Sequence, residues 1–380
     1  MKRILTKTIS TMLVVALALV MATGCPGEIN EPVRTVKVAA GSQHTVLLKS
    51  DGTVWVAGRN NYGQLGLSGT WSRYGFTQVP DVSGIVDVSA GDYHTVLLKN
   101  DGTVWVTGAN GSGRLGLGYP DGEHFGFVQV PGLAGVVSVG AGSSHTVVLK
   151  RDGTVWGTGS NGMGQLGMGD GDVFDGVTSF TELPRISGAK RILSGSYHTL
   201  VLKGDGTLWG TGSNYDGELG LGTTPMYQYR FTKLPIIGIK DMAGTSYTML
   251  VRTDGMVLVS GKNDYGHLGL GPDASAKQTT FTQVPGITGA SKVAAGWDSS
   301  FIILEDGRAY ASGRNDDGQL GLGDKTGRNR FVEIPQGTGS VMAASGRAHT
   351  VLLKDDGSVL STGSNEYGQL GIGSVINPGI

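Results

Sequence analysis

The sequence predicts an all-β fold, a seven-bladed β-propeller built from four-stranded repeats of about 50 residues. Three observations carry this prediction. One motif recurs seven times, each copy contains an Asp-Gly pair between two apolar runs, and glycine takes 66 of 380 positions. The hydrophobic fraction of 39% still suffices for a large core, so glycine is expected to serve turns at fixed places.

Each repeat opens with an apolar run that ends in a glycine, followed by a short β-branched run such as His44-Thr-Val-Leu-Leu-Lys49. The run is too short and too β-branched for a helix, which favours a strand. Spacings of 49 to 53 residues separate the anchoring glycines, which are Gly41, Gly91, Gly142, Gly195, Gly244, Gly296 and Gly346.

An Asp-Gly pair follows in every repeat, first at Asp51-Gly52, and predicts a tight hairpin because both residues tolerate positive φ. A third strand ending near an Asn-x-x-Gly-Gln-Leu-Gly motif comes next. A fourth short strand of the form Phe-x-x-[Val/Leu/Ile]-Pro closes six of the repeats, with its phenylalanine at Phe76, Phe127, Phe180, Phe231, Phe281 and Phe331.

These motifs resemble the regulator of chromosome condensation repeat family over residues 36–373, nearly all of the chain after its first residues. The resemblance implies seven blades packed around a central channel. A seventh Phe strand is not visible. Either the degenerate segment 375–380 or the segment 29–32 is expected to complete the last blade, since an open ring would expose a sheet edge.

Residues 1–24 are predicted to be a lipoprotein signal peptide. Lys2, Arg3 and Lys7 form a positive start, and the run Met12–Met21 is wholly apolar but too short to span a bilayer. Ala22-Thr23-Gly24 then precedes Cys25, the only cysteine in the chain, as in a bacterial lipobox. Ordinary secretion with an incidental cysteine is the alternative.

The expected organisation is therefore a signal peptide at 1–24, a lipidated Cys25 with a short tether at 25–35, and the propeller at 36–380. The mature protein would be exported and lipid-anchored. In a cell with two membranes the anchor would lie in the outer membrane or at the cell surface, because Pro26 is not the Asp typical of inner-membrane retention. In a cell with one membrane it would lie on the outer face.

One histidine position recurs in five repeats, with Tyr247 and Ser299 in the other two. A ring of imidazoles around the axis could bind a metal, but a hydrogen-bonded structural histidine is the preferred interpretation. The tryptophan position of the third strand is interpreted as a packing site. No nucleophile, base and orienting group can be assembled outside the repeated frame, so the sequence predicts no enzyme, no metal and no cofactor. The five histidines are His44, His94, His145, His198 and His349.

The segments before the Phe strands vary most between repeats and leave equivalent points of equivalent blades, so they are expected to gather on one face. Aromatic, Met and Arg side chains in such loops are typical of binding hot spots. Capping of each blade is the alternative role. The candidate partner-binding residues are Trp71, Arg73, Tyr74, Tyr119, His124, Phe125, Phe174, Met226, Tyr227, Tyr229 and Arg230.

The favoured function is a non-catalytic scaffold at the cell envelope that binds a macromolecule, most readily a protein, through this face. Glycan binding by the exposed aromatics is the first alternative, and guanine-nucleotide exchange by family analogy is the second. Nucleic acid is disfavoured, because the net charge of −1 becomes −4 once the three basic residues of segment 1–24 are removed.

Overall fold

A computed structural model of the chain describes residues 32–169 and 176–373. It confirms the all-β prediction: the described residues form seven sheets, six with four strands and one with three. The signal peptide, Cys25, Phe174 and the segments 29–31 and 374–380 lie outside the described residues.

The strands follow one another blade by blade. Blades 1 to 4 contain β1 (Thr35–Ala40), β2 (His44–Lys49), β3 (Val54–Gly58), β4 (Arg73–Gln78), β5 (Ile85–Ala90), β6 (His94–Lys99), β7 (Val104–Ala109), β8 (Glu123–Gln129), β9 (Val136–Ala141), β10 (His145–Lys150), β11 (Val155–Gly159), β12 (Val177–Glu182), β13 (Ala189–Ser194), β14 (His198–Lys203), β15 (Thr207–Ser213) and β16 (Tyr227–Ile237). Blades 5 to 7 contain β17 (Ile239–Gly244), β18 (Tyr247–Arg252), β19 (Val257–Lys262), β20 (Lys277–Gln283), β21 (Ala290–Ala295), β22 (Ser299–Leu304), β23 (Ala309–Gly313), β24 (Arg328–Glu333), β25 (Ser340–Ser345), β26 (His349–Lys354) and β27 (Val359–Gly363). A 3-10 turn, Gly111–Gly113, follows β7.

The Asp-Gly pairs form the tight turns that the sequence predicts. In the first, the Asp51 carboxylate accepts bonds from the Thr53 amide at 3.0 Å and the Thr53 hydroxyl at 2.7 Å, while Gly52 has a φ of 77°. The same Asp-to-Thr pair of bonds recurs in blades 2, 3 and 4. Turn chemistry therefore sets the register of each central hairpin.

The first strand of every blade is innermost, since the ends of all seven line one central cavity. Antiparallel order places two kinds of connection on one side, which we call the loop face: the short links after the first strands and the long links between third and fourth strands. Their proximity is shown by the Arg59 amide, which donates to the Gln43 carbonyl at 2.9 Å. The Asp-Gly turns occupy the opposite side, the turn face.

The hydrophobic core consists of interlocking layers between neighbouring blades. Val46, Val54 and Val56 of blade 1 pack with Leu97 of blade 2, and Trp105 of blade 2 covers this cluster. The Lys99 ammonium lies 5.4 Å from the centre of the Trp105 ring. The recurrent tryptophan is therefore a packing residue, each burying apolar area between two blades.

Blade 7 packs against blade 1 and closes the ring. Val351 and Leu353 share a buried cluster with Val38 and Leu47, and the Arg347 amide donates to the Ser42 carbonyl at 3.0 Å. Within the described residues no strand pairs with the outer edge of β27, so the choice between segments 29–32 and 375–380 stays a prediction.

Blade 5 differs locally from the other blades. Gly244 keeps the repeated spacing of three residues to Tyr247, but here it is the last residue of β17. The turn amide that donates back to the second strand belongs to Thr245, at 3.0 Å from the Tyr247 carbonyl, whereas the other blades use the repeated glycine. The link between the first and second strands is therefore one residue shorter in blade 5.

No helix among the described residues is long and apolar enough to cross a membrane.

Candidate functional site on the loop face

The five repeated histidines join neighbouring blades. Each Nε2 lies 2.9 to 3.1 Å from the hydroxyl of a threonine in the next blade, beginning with His44 and Thr95. Because the Thr95 hydroxyl donates its only proton to the Gln64 carbonyl at 2.6 Å, it must accept from the His44 Nε2–H. Tyr247 bridges blades 5 and 6 instead, donating to the Ser299 carbonyl at 2.7 Å.

Burial keeps these imidazoles neutral. It lowers the pKa of His44 and of His145 to about 3 and that of His198 and of His349 to about 4. Their rings each point a nitrogen at a threonine rather than at one another. Among residues 32–169 and 176–373 no group of three or more His, Cys, Asp or Glu could hold a metal ion.

The predicted partner-binding residues lie along the outer part of the loop face, but most are not in loops. Of the members that the structure describes, only Trp71, Tyr119 and Met226 precede their strands. The other described members lie within fourth strands, so their assignment to loops was wrong. Each fourth strand begins several residues before its phenylalanine. These members are Arg73, Tyr74, His124, Phe125, Tyr227, Tyr229 and Arg230.

Strand residues of this set also seal the joints between blades. A Cβ on Gly368 of blade 7 would lie 2.4 Å from the Tyr74 Cα, and one on Gly164 would lie 2.8 Å from the Tyr229 Cα. The Tyr74 hydroxyl donates to the Glu366 carbonyl at 3.3 Å. Blade capping is thus a real role of Tyr74 and Tyr229.

The three loop residues are exposed, with 78% of Trp71, 54% of Met226 and 45% of Tyr119 accessible to solvent, and Arg230 of β16 is exposed as well. Tyr119 is oriented by its hydroxyl, which lies 2.8 Å from the His124 Nε2. Trp71 and Tyr119 lie on the adjacent blades 1 and 2, whereas Met226 lies on blade 4. The predicted partner-binding residues are therefore distributed around the rim of the loop face.

A second group of residues surrounds the channel mouth on the same face. The cavity there has a volume of about 190 Å³ and is lined mainly by glycine, alanine and hydroxyl side chains from all seven blades. Trp297 of blade 6 reaches across it, with its indole N–H 3.4 Å from the Asp92 carboxylate of blade 2. The Arg347 guanidinium lies 5.1 Å from the Trp297 ring centre.

Charges at the mouth are partly desolvated. Burial raises the pKa of Asp92 and of Asp298. Burial also lowers the pKa of Arg114, whose guanidinium donates to the Ser143 carbonyl at 2.8 Å. Such fixed, poorly hydrated charges pair strongly with a complementary surface that excludes the remaining water.

Tyrosines extend the mouth outward. The Arg59 guanidinium lies between Tyr62 and Tyr367, 5.7 and 5.0 Å from their ring centres, and Tyr62 packs edge-on against Tyr93 at 5.2 Å. Exposed tyrosines continue around the ring at Tyr197, Tyr215 and Tyr265. We call these tyrosines, with Asp92, Trp297 and Arg347, the mouth ring.

The sequence prediction missed the mouth ring, although a signal was present. Two residues stand between the repeated glycine and the histidine position in all seven repeats of the sequence. They are Ser-Gln, Asp-Tyr, Ser-Ser, Ser-Tyr, Thr-Ser, Trp-Asp and Arg-Ala in chain order. These two positions vary while the residues around them repeat, which indicates that packing between blades does not fix their side chains.

Glu218 offers a test of how the loop face tolerates a buried charge. It occupies the place of Gln64, Gln165, Gln319 and Gln369 in other blades. Burial raises the pKa of Glu218, although the Ser213 hydroxyl donates a hydrogen bond to its carboxylate at 2.7 Å, which acts in the opposite direction. Glu218→Gln is expected to raise the free energy of unfolding at pH 7 by about 1 kcal/mol, measured by urea unfolding. The reverse change Gln165→Glu should lower it, and equal stabilities in both pairs would contradict the argument.

Comparison with known protein families gives a consistent result. The family model described as an RCC1-like domain matches residues 17–337, and that of the regulator of chromosome condensation (RCC1) repeat matches residues 343–369. Among curated proteins, human E3 ubiquitin-protein ligase HERC2 is 29% identical over 219 residues, covering 55% of this chain and 4% of its own. The bovine secretion-regulating guanine nucleotide exchange factor is 30% identical over 166 residues, covering 43% of this chain and 25% of its own.

The chain thus spans a quarter or less of these relatives. Among solved structures, Prp20p of Saccharomyces cerevisiae, reported with its binding to Gsp1p and histones, has a TM-score of 0.75 at 20% identity, covering 85% of this chain and 84% of its own. Human WBSCR16 has a TM-score of 0.73 at 22% identity, covering 86% and 88%. These two structures establish a shared fold.

Proposed function

Because the chain belongs to the family of RCC1-like domains, we propose that it is a non-catalytic scaffold that binds a protein partner on its loop face. The observation that supports this most directly is the coincidence of two sets of residues on one face. The exposed Trp71, Tyr119 and Met226 lie at the rim, and the mouth ring lies at the centre.

The two sets suit different parts of an interface. Desolvated Asp92 and Arg114 with Trp297 would form the central contact, since hot spots cluster where water is excluded. The rim aromatics would add contact area around it. The ring of blades holds both sets in place before binding, which lowers the entropic cost of docking.

The partner-binding proposal predicts that two groups of substitutions on the loop face weaken capture of the same protein. One variant carries Trp71→Ser, Tyr119→Ser and Met226→Ser, and the other carries Tyr197→Ser, Tyr215→Ser and Tyr265→Ser. Each is expected to lower affinity at least about tenfold in capture from envelope and secreted fractions, followed by titration of the isolated partner.

A turn-face variant with Val86→Ser and Ile237→Ser is the matched control, because these side chains are 54% and 70% exposed on the opposite side. It should retain full affinity. If all three variants lost affinity equally, or if only the control lost affinity, the loop face would not be the docking surface. A saccharide that binds and is lost with Trp71 would instead support the glycan alternative.

We also propose that residues 1–24 direct export and that Cys25 carries the lipid that holds the scaffold at a membrane. The support is the apolar run Met12–Met21 and the small residues before the single cysteine. Labelling cells with a tagged fatty acid should mark the full chain, and Cys25→Ser should abolish the label. A labelled Cys25→Ser protein would refute the anchor.

A further inference from the structure

Three arginines lie around one side of the channel mouth, on the adjacent blades 7, 1 and 2. They are Arg347, Arg59 and Arg114, and we call them the arginine arc. Arg347 and Arg59 contact the same link of blade 1, because the Arg347 amide donates to the Ser42 carbonyl at 3.0 Å and the Arg59 Nη1 donates to the Gln43 Oε1 at 2.7 Å. The arc therefore borders the central cavity, which Ser42 lines.

Arg114 stands where four other blades have glutamine. In blade 1 the Gln64 Oε1 accepts a bond from the Tyr62 amide at 2.9 Å, which an arginine cannot do because it has no acceptor. The link of blade 2 instead contains the 3-10 turn, with Ser112 at a φ of 60° that side chains disfavour. Blade 2 thus gives up a bond within its own link and places a cation at the mouth, where the Arg114 Nη1 donates to the Ser143 carbonyl.

The guanidinium groups of the arc have more donors than the described protein uses. A guanidinium carries five N–H donors and no acceptor. Arg114 donates to two backbone carbonyls and Arg59 to one side-chain amide oxygen, while Arg347 lies against the face of the Trp297 ring. A ligand rich in acceptors suits such a surplus of donors.

The cations at the equivalent positions of other blades are already ion-paired. Lys262 and Arg314 occupy the place of Arg59 in blades 5 and 6, and they pair with Asp264 at 3.3 Å and Asp316 at 2.7 Å. No carboxylate of residues 32–169 and 176–373 forms such a pair with the arginine arc. The arc is therefore set apart from its counterparts by its charge environment.

Asp92 is the carboxylate that faces the arc, and its charge interacts with Arg114 and Arg347. Its Oδ1 already accepts the Trp297 indole N–H at 3.4 Å. Asp298 of blade 6 lies 3.8 Å from the Lys262 ammonium on the other side of the mouth. Three guanidinium groups against Asp92 leave this side of the mouth positive, although the whole chain has a net charge of −1.

We propose that the arginine arc binds an acidic segment of the partner protein, whose Asp or Glu side chains enter the channel mouth and accept paired bonds from the guanidinium groups. Tyr62, Tyr367 and Trp297 lie against two of these groups and hold them in place before binding, which lowers the cost of ordering them. This inference rests on the proposed function, because it names the chemistry of the partner that the loop face binds.

The test uses the full chain with Cys25→Ser and a labelled hexapeptide of glutamate, with the glutamine and lysine hexapeptides as matched probes. The glutamate peptide should bind with a saturable change in fluorescence anisotropy. It should also shift the indole N–H signal of Trp297 in NMR spectra, which Trp297→Phe identifies. The glutamine peptide should bind at least about tenfold more weakly, since it lacks the charge that strengthens bonds to a guanidinium.

Arg59→Gln and Arg314→Gln form a position-matched pair, because each removes one cation from the same place of a different blade. Arg59→Gln and Arg114→Gln should each lower the affinity for the glutamate peptide at least about fivefold, whereas Arg314→Gln should change it less than about twofold. Arg114→Gln restores the glutamine of the other blades, so the fold is expected to be retained, which circular dichroism verifies.

Three results would overturn the proposal. One is equal affinity for the glutamate and glutamine peptides. Another is an equal loss in Arg59→Gln and Arg314→Gln, which would show attraction by overall charge. The third is a preference for the lysine peptide that disappears in Asp92→Asn, which would show that the mouth accepts a base.

Capture of the partner separates this inference from the proposed function. A partner that depends on the rim and tyrosine residues but binds Arg114→Gln with full affinity would refute the acidic contact alone. A partner lost in Arg114→Gln but retained by the rim and tyrosine variants would refute the contacts of the proposed function and support the acidic one.

Discussion

Lowering the pH from 7 to about 4.5 is expected to unfold the propeller cooperatively, because the joints between blades contain neutral histidines that cannot charge in place. Each Nε2–H is already donated to a threonine, and the Nδ1 atoms of His44, His94, His145 and His349 are buried without a hydrogen-bond partner. A second proton would create an unpaired charge in the core. Unfolding relieves this by exposing the imidazoles to water.

The direction follows from the pKa values. An unfolded histidine has a pKa near 6.5, whereas burial lowers the pKa of folded His44 to about 3 and that of His198 to about 4. The stabilising contribution is complete above pH 6.5 and is lost as the pH falls from 6.5 towards 3 to 4. Each histidine lowers the free energy of unfolding by up to about 1.4 kcal/mol per pH unit in that window.

Burial also lowers the pKa of His267 to about 4. The six buried histidines together would give a slope approaching about 8 kcal/mol per pH unit, against a typical stability of about 5–15 kcal/mol. Asp92, Glu218 and Asp298 act in the opposite direction, since burial raises the pKa of each. The histidines outnumber them, so the net effect is destabilisation by acid.

Urea unfolding at pH 7, 6, 5.5 and 5 measures this slope directly. His198→Gln keeps a donor for Thr248 but removes one titrating ring. The unfolded protein should then take up about one proton fewer, so the free energy of unfolding should fall less steeply with falling pH, even where the variant is less stable at pH 7. A free energy of unfolding that stays constant between pH 7 and about 4.5 would show that the buried histidines do not control acid stability.

Gly346→Ala is expected to destabilise the protein by about 3 kcal/mol or more, because it opens the joint that closes the ring. A methyl group on Gly346 would lie 2.3 Å from the Gly41 carbonyl of blade 1 and 2.4 Å from the His349 ring. The backbone angle of this glycine is an ordinary one, so the cost is steric. Both neighbours are fixed, one as backbone and one as a hydrogen-bonded ring.

Gly126→Ala is the matched control, since nothing lies within 4 Å of a Cβ there and its φ is also ordinary. It should change stability by less than about 0.5 kcal/mol. Thermal unfolding of both variants gives the comparison. A Gly346→Ala protein as stable as Gly126→Ala would mean that blades 1 and 7 can separate without loss.

Local sequence chemistry determined the repeating part of this protein. An Asp-Gly pair between two apolar runs favours a tight hairpin turn. Strands with alternating apolar residues bury one face, which sets their register. Seven copies of the motif therefore give seven sheets. The structural role of the histidines was also predictable, because a histidine that yields to tyrosine in Tyr247 and serine in Ser299 cannot be essential to a metal site.

Tertiary structure decided everything that depends on which repeats meet. Trp297 and Asp92 are 205 residues apart and touch only because the ring brings blades 6 and 2 to one channel mouth. Likewise, Tyr74 and Tyr229 look like free loop aromatics in the sequence, yet they seal the neighbouring blade. A repeat motif records contacts within its own blade and with the next, whereas the mouth ring arises from closing the ring, which no single repeat encodes.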